Sequence, residues 1–133
     1  MSLKPRQGTF CGMSDFRKLD VWRKAHALSL NSHRVTSRIR GSQYASDRNQ
    51  IYRAARSIPT NIVEGRGQKT NKDQCRFLNY AINSSNELEY HLLAGRDLGI
   101  VATNDYVSLL NQVVEVRKML YGLIKYLRDL EDE

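Results

Sequence analysis

Apolar residues recur at steps of three and four along most of this chain, which is the spacing of one face of an α-helix. The first stripe consists of Val21, Ala25, Leu28, Ser32, Val35 and Ile39. Gly41 follows directly, and a glycine after the last apolar position commonly stops a helix. The pattern therefore predicts a first helix that carries this stripe and stops at Gly41.

A second stripe continues through a proline. Ser46 and Asp47 are typical helix-starting residues, and the apolar positions that follow are Ile51, Ala54, Ala55, Ile58 and Ile62. Pro59 lies inside the stripe although proline removes a backbone donor and crowds the preceding turn. A loop there would leave the flanking isoleucines without a partner face. The spacing thus favours a helix that is bent or locally unwound at Pro59 and ends around residues 64–67.

Two longer stripes follow. In the third helix, Asn71 is the expected cap, Leu98 with Gly99 is the expected end, and the stripe is Leu78, Ile82, Ser85, Leu88, Leu92 and Gly95. Small residues at Ser85 and Gly95 would let a neighbouring helix come close. In the fourth, Thr103 is the expected cap, and the stripe is Tyr106, Leu109, Val113, Val116, Leu120, Leu123, Leu127 and Leu130.

Four amphipathic helices with short connections predict an all-α, antiparallel up-down-up-down four-helix bundle. The chain has 133 residues, 41% of them apolar, which is enough for one core. Residues 1–14 show no periodic pattern and are interpreted as a flexible leader, so the bundle is assigned to residues 15–133. No apolar run is long enough to span a bilayer, and the predicted location is cytoplasmic. Cys11 and Cys75 do not make a disulfide framework.

Positive charge is concentrated in the first part of the chain. Residues 1–78 contain 16 Lys and Arg against 5 Asp and Glu, whereas residues 79–133 contain 5 against 9. Arginine predominates in the basic part, and its planar guanidinium binds phosphate through two hydrogen bonds and stacks on bases. The distribution is compatible with RNA binding and equally with a solvated basic face.

Patterns typical of enzymes and metal sites are absent from the sequence. His26 and His33 lie seven residues apart on one side of a helix, but two imidazoles alone form neither a zinc site nor an acid–base pair. No glutamate lies three residues before any histidine, as a di-iron bundle requires, and no arginine lies five to seven residues before one, as in a family of small helical ribonucleases. Gly65, Gly67 and Lys69 do not have the G-x-x-x-x-G-K-[ST] spacing of a phosphate-binding loop, and no strand is predicted before them. No cofactor and no catalytic residue is predicted.

Three separated blocks occur in an order that resembles a known family: FRKLDVWRKAHALS at 16–29, SIPTNIVEG at 57–65 and RFLNYAINSSNELEYHLLAGRDLGIV at 76–101. With the closing helical segment, they resemble the bacterial 23S rRNA intervening-sequence protein family over roughly residues 15–130. The resemblance implies a four-helix bundle and a ring-like homopentamer. Distant relatives act as accessory proteins to reverse transcriptases in diversity-generating retroelements.

The candidate nucleic-acid-binding residues lie on the second helix and around its end. Basic residues with one interleaved aromatic ring occur at helical spacing there, and further cations continue through the turn into the third helix. The candidates are Arg48, Tyr52, Arg53, Arg56, Arg66, Lys69, Lys72 and Arg76. Repetition of this patch around the ring that the resemblance implies would create a large positive field.

The sequence favours a non-enzymatic, homo-oligomeric four-helix bundle protein that binds structured RNA or a nucleoprotein partner through its basic surface. No membrane and no small-molecule substrate is expected. The alternative is a protein–protein interaction scaffold or accessory subunit, for example to a reverse transcriptase, without direct RNA binding. Copurification of RNA and a steep salt dependence of binding would distinguish the two.

Overall fold

The computed structural model describes residues 15–131, and this part of the chain is built from helices without any strand. A short 3-10 helix at Phe16–Lys18 precedes α1, which spans Asp20–Thr36, and a second at Ser42–Tyr44 leads into α2, which spans Ala45–Arg66. The remaining helices are α3 at Asn71–Asp97 and α4 at Thr103–Glu131. The predicted all-α fold is confirmed. The proposed leader, residues 1–14, lies outside the described residues.

Contacts between the helices establish their directions. Asn31 of α1 donates a hydrogen bond to Gln112 of α4, and Arg38, just after α1, donates to Asp105, which is earlier in α4. The same reversed order holds between α2 and α3, where Ser57 meets Ser84 while Gly65 lies against Gln74. The main contacts join consecutive helices and close between α1 and α4. This is the antiparallel up-down-up-down bundle that the sequence predicts.

The predicted stripes form the core, with one change near the end of α4. Side chains from all four helices are fully buried, among them Leu28, Ile58, Ile62, Leu78, Leu88, Leu92, Val113 and Leu120. In α4, Ile124 is buried, whereas Leu123 is only partly buried and Leu130 is 41% exposed. Between Leu120 and Leu127, which are both buried as predicted, the core position is thus Ile124 instead of Leu123.

The end of α1 differs from the prediction. The helix ends at Thr36, five residues before Gly41, although Ile39 is still buried. Near the end, the Thr36 hydroxyl donates to the carbonyl oxygen of His33 at 2.8 Å, and the Ser37 hydroxyl donates to that of Arg34 at 2.7 Å. Hydroxyl side chains that satisfy these carbonyls compete with continuation of the helix. Gly41, with φ of 100°, instead leads into the second 3-10 helix.

The predicted helix starts are correct to within one residue, but the capping residues differ. Thr70, not Asn71, caps α3, because the Thr70 side chain accepts a hydrogen bond from the backbone N–H of Asp73 at 3.1 Å. Helix α2 begins at Ala45 without a side-chain cap. Helix α4 has Thr103 as its first residue rather than as the residue before it.

The predicted glycine motif at the end of α3 is confirmed. Gly99 has φ of 78° and donates its N–H to the carbonyl oxygen of Arg96, while Ile100 donates to that of Gly95. These are the two bonds of a Schellman motif. The close approach predicted at Gly95 comes from Val101, in the chain that follows α3, rather than from a neighbouring helix.

Helix α2 runs without a break through Pro59, so local unwinding is wrong, and the bend stays a prediction. Pro59 is buried, and two nearby side chains satisfy carbonyls of the preceding turn: Thr60 donates to Arg56 and Asn61 donates to Ser57, each at 2.9 Å. The block at 57–65 lies inside the helix. Gly65 is helical, because within residues 15–131 only Gly41 and Gly99 have positive φ.

Candidate nucleic-acid interface

The eight candidate residues lie at three places on the bundle. Arg48 is beside the connection from α1 to α2, a second group is on the outer side of α2, and a third surrounds the turn from α2 to α3. The second group is Tyr52, Arg53 and Arg56, and the third is Arg66, Lys69, Lys72 and Arg76. Along the axis of α2, Arg48 and Arg66 are separated by about 27 Å. The residues therefore do not form one continuous patch on a single chain.

Arg48 is half-buried and already engaged with the backbone. Its Nη1 donates to the carbonyl oxygens of Ile39 at 3.2 Å and Gly41 at 3.0 Å. These two carbonyls belong to the irregular connection after α1, and that of Gly41 also accepts the backbone N–H of Tyr44 at 3.1 Å. Through these two hydrogen bonds, Arg48 stabilises the connection between α1 and α2.

Tyr52 and Arg56 are neighbours, and residues of α1 join them. The Arg56 guanidinium lies 5.1 Å from the centre of the Tyr52 ring, within the range of a cation–π contact. His33 of α1 approaches the same ring at 5.4 Å, and Arg56 Nε donates to the Ser29 hydroxyl at 3.3 Å. Helix α1 thus orients the arginine and the ring that the sequence selected on α2.

Two further α1 residues extend this arrangement. The imidazole of His26 stacks on the indole of Trp22, with ring centres 4.8 Å apart and an angle of 9° between the planes, and Phe16 meets the indole edge-on at 4.9 Å. We define the α1–α2 face as Trp22, His26, His33, Tyr52, Arg53 and Arg56. The four-residue spacing of Trp22 and His26 in the sequence indicates that the two rings are neighbours on one helix. No comparable pattern in the sequence indicates which residues of α1 contact α2.

The α1–α2 face has little negative charge nearby. Between residues 21 and 63, Asp47 is the sole carboxylate in the sequence. Arg53 and Arg56 are exposed, and neither has a carboxylate within 4 Å among residues 15–131. Several cations in and beside α1 are paired with carboxylates: Lys24 with Glu115 at 3.5 Å, Arg38 with Asp105 at 3.2 Å, Arg23 with Asp20, and both Arg17 and Lys18 with Asp15.

The third group lies beside a groove between α3 and α4. The groove has a volume of about 730 Å³, and Lys72, Arg76 and Arg128 line it together with Asp73 and Glu131. Arg76 is 3.7 Å from Asp73 and stacks on Phe77 at 4.8 Å. An interaction with the Tyr80 side chain raises the pKa of Arg76 above its ordinary value. Because carboxylates alternate with cations here, this group is less uniformly positive than the α1–α2 face.

Within residues 15–131, the structure contains neither a metal-binding cluster nor an exposed cysteine. No group of three or more His, Cys, Asp or Glu side chains gathers in that range. Cys75 is buried at the base of the groove, and burial raises the pKa of its thiol. No described helix combines the length and the apolar character that crossing a membrane requires.

Comparison with known proteins defines the class to which the fold belongs. The model of the 23S rRNA-intervening sequence protein family matches residues 17–122, and the chain belongs to this family. A solved structure from Bacteroides thetaiotaomicron, described as a protein with unknown function from the S23 ribosomal protein family, is similar to it. The two are 26% identical with a TM-score of 0.74 over 79% of this chain and 98% of that one. No curated protein matches the chain.

Proposed function

We propose that this chain is a non-enzymatic, homo-oligomeric bundle protein that binds structured RNA through the α1–α2 face. The observation that carries the proposal is the pair Arg53 and Arg56. Both guanidinium groups are exposed and lack a carboxylate partner among the described residues, and one of them is held against an aromatic ring. Cations that are not neutralised within the protein are available to a phosphate backbone.

Electrostatics favour this face over the other basic parts of the described chain. The cations near the start of α1 are paired with carboxylates, and the cations of the α3–α4 groove alternate with them. On the α1–α2 face, two imidazoles and one tyrosine ring accompany the arginines. Rings interleaved with cations are typical of proteins that bind single strands and loops of RNA.

The family supports the proposal indirectly. Its description refers to the intervening sequence of 23S rRNA, which associates the family with ribosomal RNA. If the chain forms a ring-like homopentamer, as the family resemblance implies, each subunit contributes one copy of the face. Several modest patches bound to one RNA act together, because the second contact is intramolecular once the first has formed.

Salt-dependent binding of the double variant Arg53→Ala/Arg56→Ala tests the proposal. We expect wild-type affinity for a structured RNA to fall steeply with salt, and the slope of log K against log salt to be about 1–2 units smaller for each subunit that contacts RNA in the variant. The loss should be similar for unrelated sequences, since these side chains meet phosphates rather than base edges.

Lys24→Ala/Arg38→Ala is the matched control, because it removes the same charge from two cations that are already paired across α1 and α4. Its slope should stay close to that of the wild type. Unchanged binding by Arg53→Ala/Arg56→Ala, with the oligomeric state intact, would exclude the α1–α2 face. Equal effects of the two double variants would show that only net charge matters.

A protein–protein scaffold is the second candidate, and exposed rings on the other side of the bundle favour it. Tyr90 of α3 and Tyr121 and Tyr126 of α4 are each more than half exposed. Such rings are frequent in protein interfaces. Purification at low salt separates the candidates: an RNA-binding protein retains nucleic acid and absorbs strongly at 260 nm, whereas a scaffold for proteins does not.

A further inference from the structure

Three rings form a column at the start of α1 that ends in solvent. Phe16 meets Trp22 edge-on, and Trp22 is partly buried against the core. His26 stacks almost parallel on Trp22, at 4.8 Å and 9°. His26 itself is exposed. The column therefore holds an exposed imidazole in a fixed orientation by packing, without a hydrogen bond to its nitrogens from any described residue.

One face of the exposed imidazole carries no second aromatic ring from the described part of the chain. Trp22 covers the other face, and among residues 15–131 no further aromatic ring stacks on His26. Leu30, one turn further along α1, is 38% exposed and adds apolar surface on that side. A flat, partly apolar group of about the size of a nucleobase fits such a surface, because every base presents a π face.

The arginines of α2 lie one turn away. Arg56 reaches Ser29, which is three residues after His26 and therefore about 4.5 Å further along the axis of α1. A nucleotide with its base on His26 would consequently have its sugar–phosphate near Arg56. Arg53, three residues before Arg56, lies one turn further along α2 in the direction of Tyr52 and His33.

We propose that His26, supported by Trp22, is a stacking platform for an unpaired base of the bound RNA. This inference rests on the proposed function and specifies its substrate: loops or single-stranded segments rather than continuous duplex. Bases within an A-form helix are stacked on one another and do not offer a free face, whereas bases in loops can be turned outward onto a side chain. The platform is preorganised, so little side-chain entropy is lost when the base arrives.

Substitutions at His26 separate stacking from charge. His26→Ala removes the ring, His26→Phe supplies an aromatic ring without nitrogen atoms, and His26→Lys supplies a cation without a ring. The probes are a fluorescein-labelled, unstructured RNA of about 12 nucleotides and the same strand annealed to its complement. In the full-length protein we expect His26→Ala to bind the single strand about tenfold more weakly, with a much smaller loss for the duplex.

His26→Phe should restore the preference for the single strand, and His26→Lys should not. A 2-aminopurine base in the probe adds a spectroscopic readout, because stacking quenches its fluorescence and His26→Ala should reduce that quenching. His91→Ala is the matched control, since His91 pairs with Tyr90 on α3, away from α1. Light scattering on each variant establishes whether assembly is retained.

Unchanged single-strand binding by His26→Ala would overturn the platform. So would rescue by His26→Lys as complete as that by His26→Phe, which would show that the aromatic ring is not required, or a loss of binding that accompanies a loss of assembly. Failure of the proposed function would give different results. The wild type would then bind neither probe, or Arg53→Ala/Arg56→Ala would bind both probes as well as the wild type does.

Discussion

Gly65 of α2 lies so close to Gln74 of α3 that a Cβ atom on Gly65 would be 3.2 Å from the Gln74 carbonyl oxygen. The Cβ atom of Phe77 would be equally near, also at 3.2 Å. Neither neighbour is the flexible end of a side chain, so neither can rotate away. Glycine is therefore favoured here by the close approach of two helices and not by the conformation of its own backbone.

Substitution of Gly65 should destabilise the bundle. In Gly65→Ala, overpacking of about 1–3 kcal/mol should exceed the gain of about 0.5–1 kcal/mol from removing a glycine inside a helix. We expect a net loss of roughly 1 kcal/mol in the free energy of unfolding, measured with urea, and a larger loss for Gly65→Val.

Gly67→Ala is the matched control for this substitution. A Cβ atom on Gly67 would have its nearest contact at 3.7 Å, and its φ of −82° suits any residue. Gly67→Ala should therefore be neutral or slightly stabilising. If Gly65→Ala is as stable as Gly67→Ala, the α2–α3 contact at this point is looser than the structure indicates.

The role of Gly65 is an example of a feature that cannot be predicted from the sequence, because it depends on a contact between two helices. Helical stripes are local, so the four helices and most core positions could be predicted from spacing alone. The end of α2 around residues 64–67 is predictable, but the reason for Gly65 is not, because its contact partner on α3 is not visible in the local sequence. The prediction of Asn71 as the cap of α3 was wrong for a related reason. Thr70 and Asn71 are both good capping residues, and only the geometry of the folded chain selects between them.

The candidate site was predictable to the same extent. Tyr52 and Arg56 are four residues apart, and their contact follows from helical geometry. Ser29 and His33 were not selected, because which side of α1 faces α2 depends on how the helices pack. Arg48 has suitable charge and spacing, but the sequence does not show that the carbonyls of Ile39 and Gly41 engage it.

A hydroxyl pair between α2 and α3 should be coupled energetically. The Ser57 and Ser84 hydroxyls are 2.8 Å apart, and Asn61 donates to the Ser57 hydroxyl at 3.0 Å. Because Ser84 is buried, Ser57→Ala leaves a polar group without its partner, and we expect a cost of about 1–2 kcal/mol. Ser57→Ala/Ser84→Ala should cost less than the sum of the single variants in a double-mutant cycle. Strict additivity would argue against the hydrogen bond.

The thiol of Cys75 should be unreactive in the folded protein. Burial raises its pKa and so lowers the fraction of thiolate, which is the reactive form. In a Cys11→Ser background, we expect slow labelling by a thiol reagent in buffer and fast labelling in urea. Since the folded pKa is raised, the stability linked to this thiol is present below the ordinary thiol pKa and decreases as the pH rises above it. Fast labelling of the native protein would contradict the burial of Cys75.

The exposed rings of α3 and α4 should be covered in an oligomer. Tyr90 is 63% and Tyr121 is 57% exposed in the single chain, and large rings at this exposure favour a partner surface. We expect light scattering at micromolar concentration to give a stable oligomer, a pentamer according to the family resemblance. Tyr90→Glu or Tyr121→Glu should shift it towards smaller species, whereas Asn111→Glu, at an exposed polar position of α4, should not. A clean 15.3 kDa monomer in the wild type would exclude the assembly.

Pro59 should determine the direction in which α2 ends. Replacing it with alanine restores a backbone donor and removes the crowding of the preceding turn, so the helix should become straighter. The end of α2 sets where α3 starts, and with it the positions of Arg66, Lys69 and Lys72 relative to a neighbouring subunit. We therefore expect Pro59→Ala to change the oligomer distribution in light scattering and the affinity for RNA together.

Ala55→Gly separates this geometric effect from a general loss of stability. Ala55 is fully buried in the same helix, and the glycine lowers helix stability by about 1 kcal/mol without imposing a new backbone path. Ala55→Gly should melt at a lower temperature and keep the wild-type oligomer, whereas Pro59→Ala should change the oligomer. The opposite combination for Pro59→Ala, an unchanged oligomer and melting temperature with RNA binding abolished, would show that this part of α2 contacts the ligand directly instead of directing the helix.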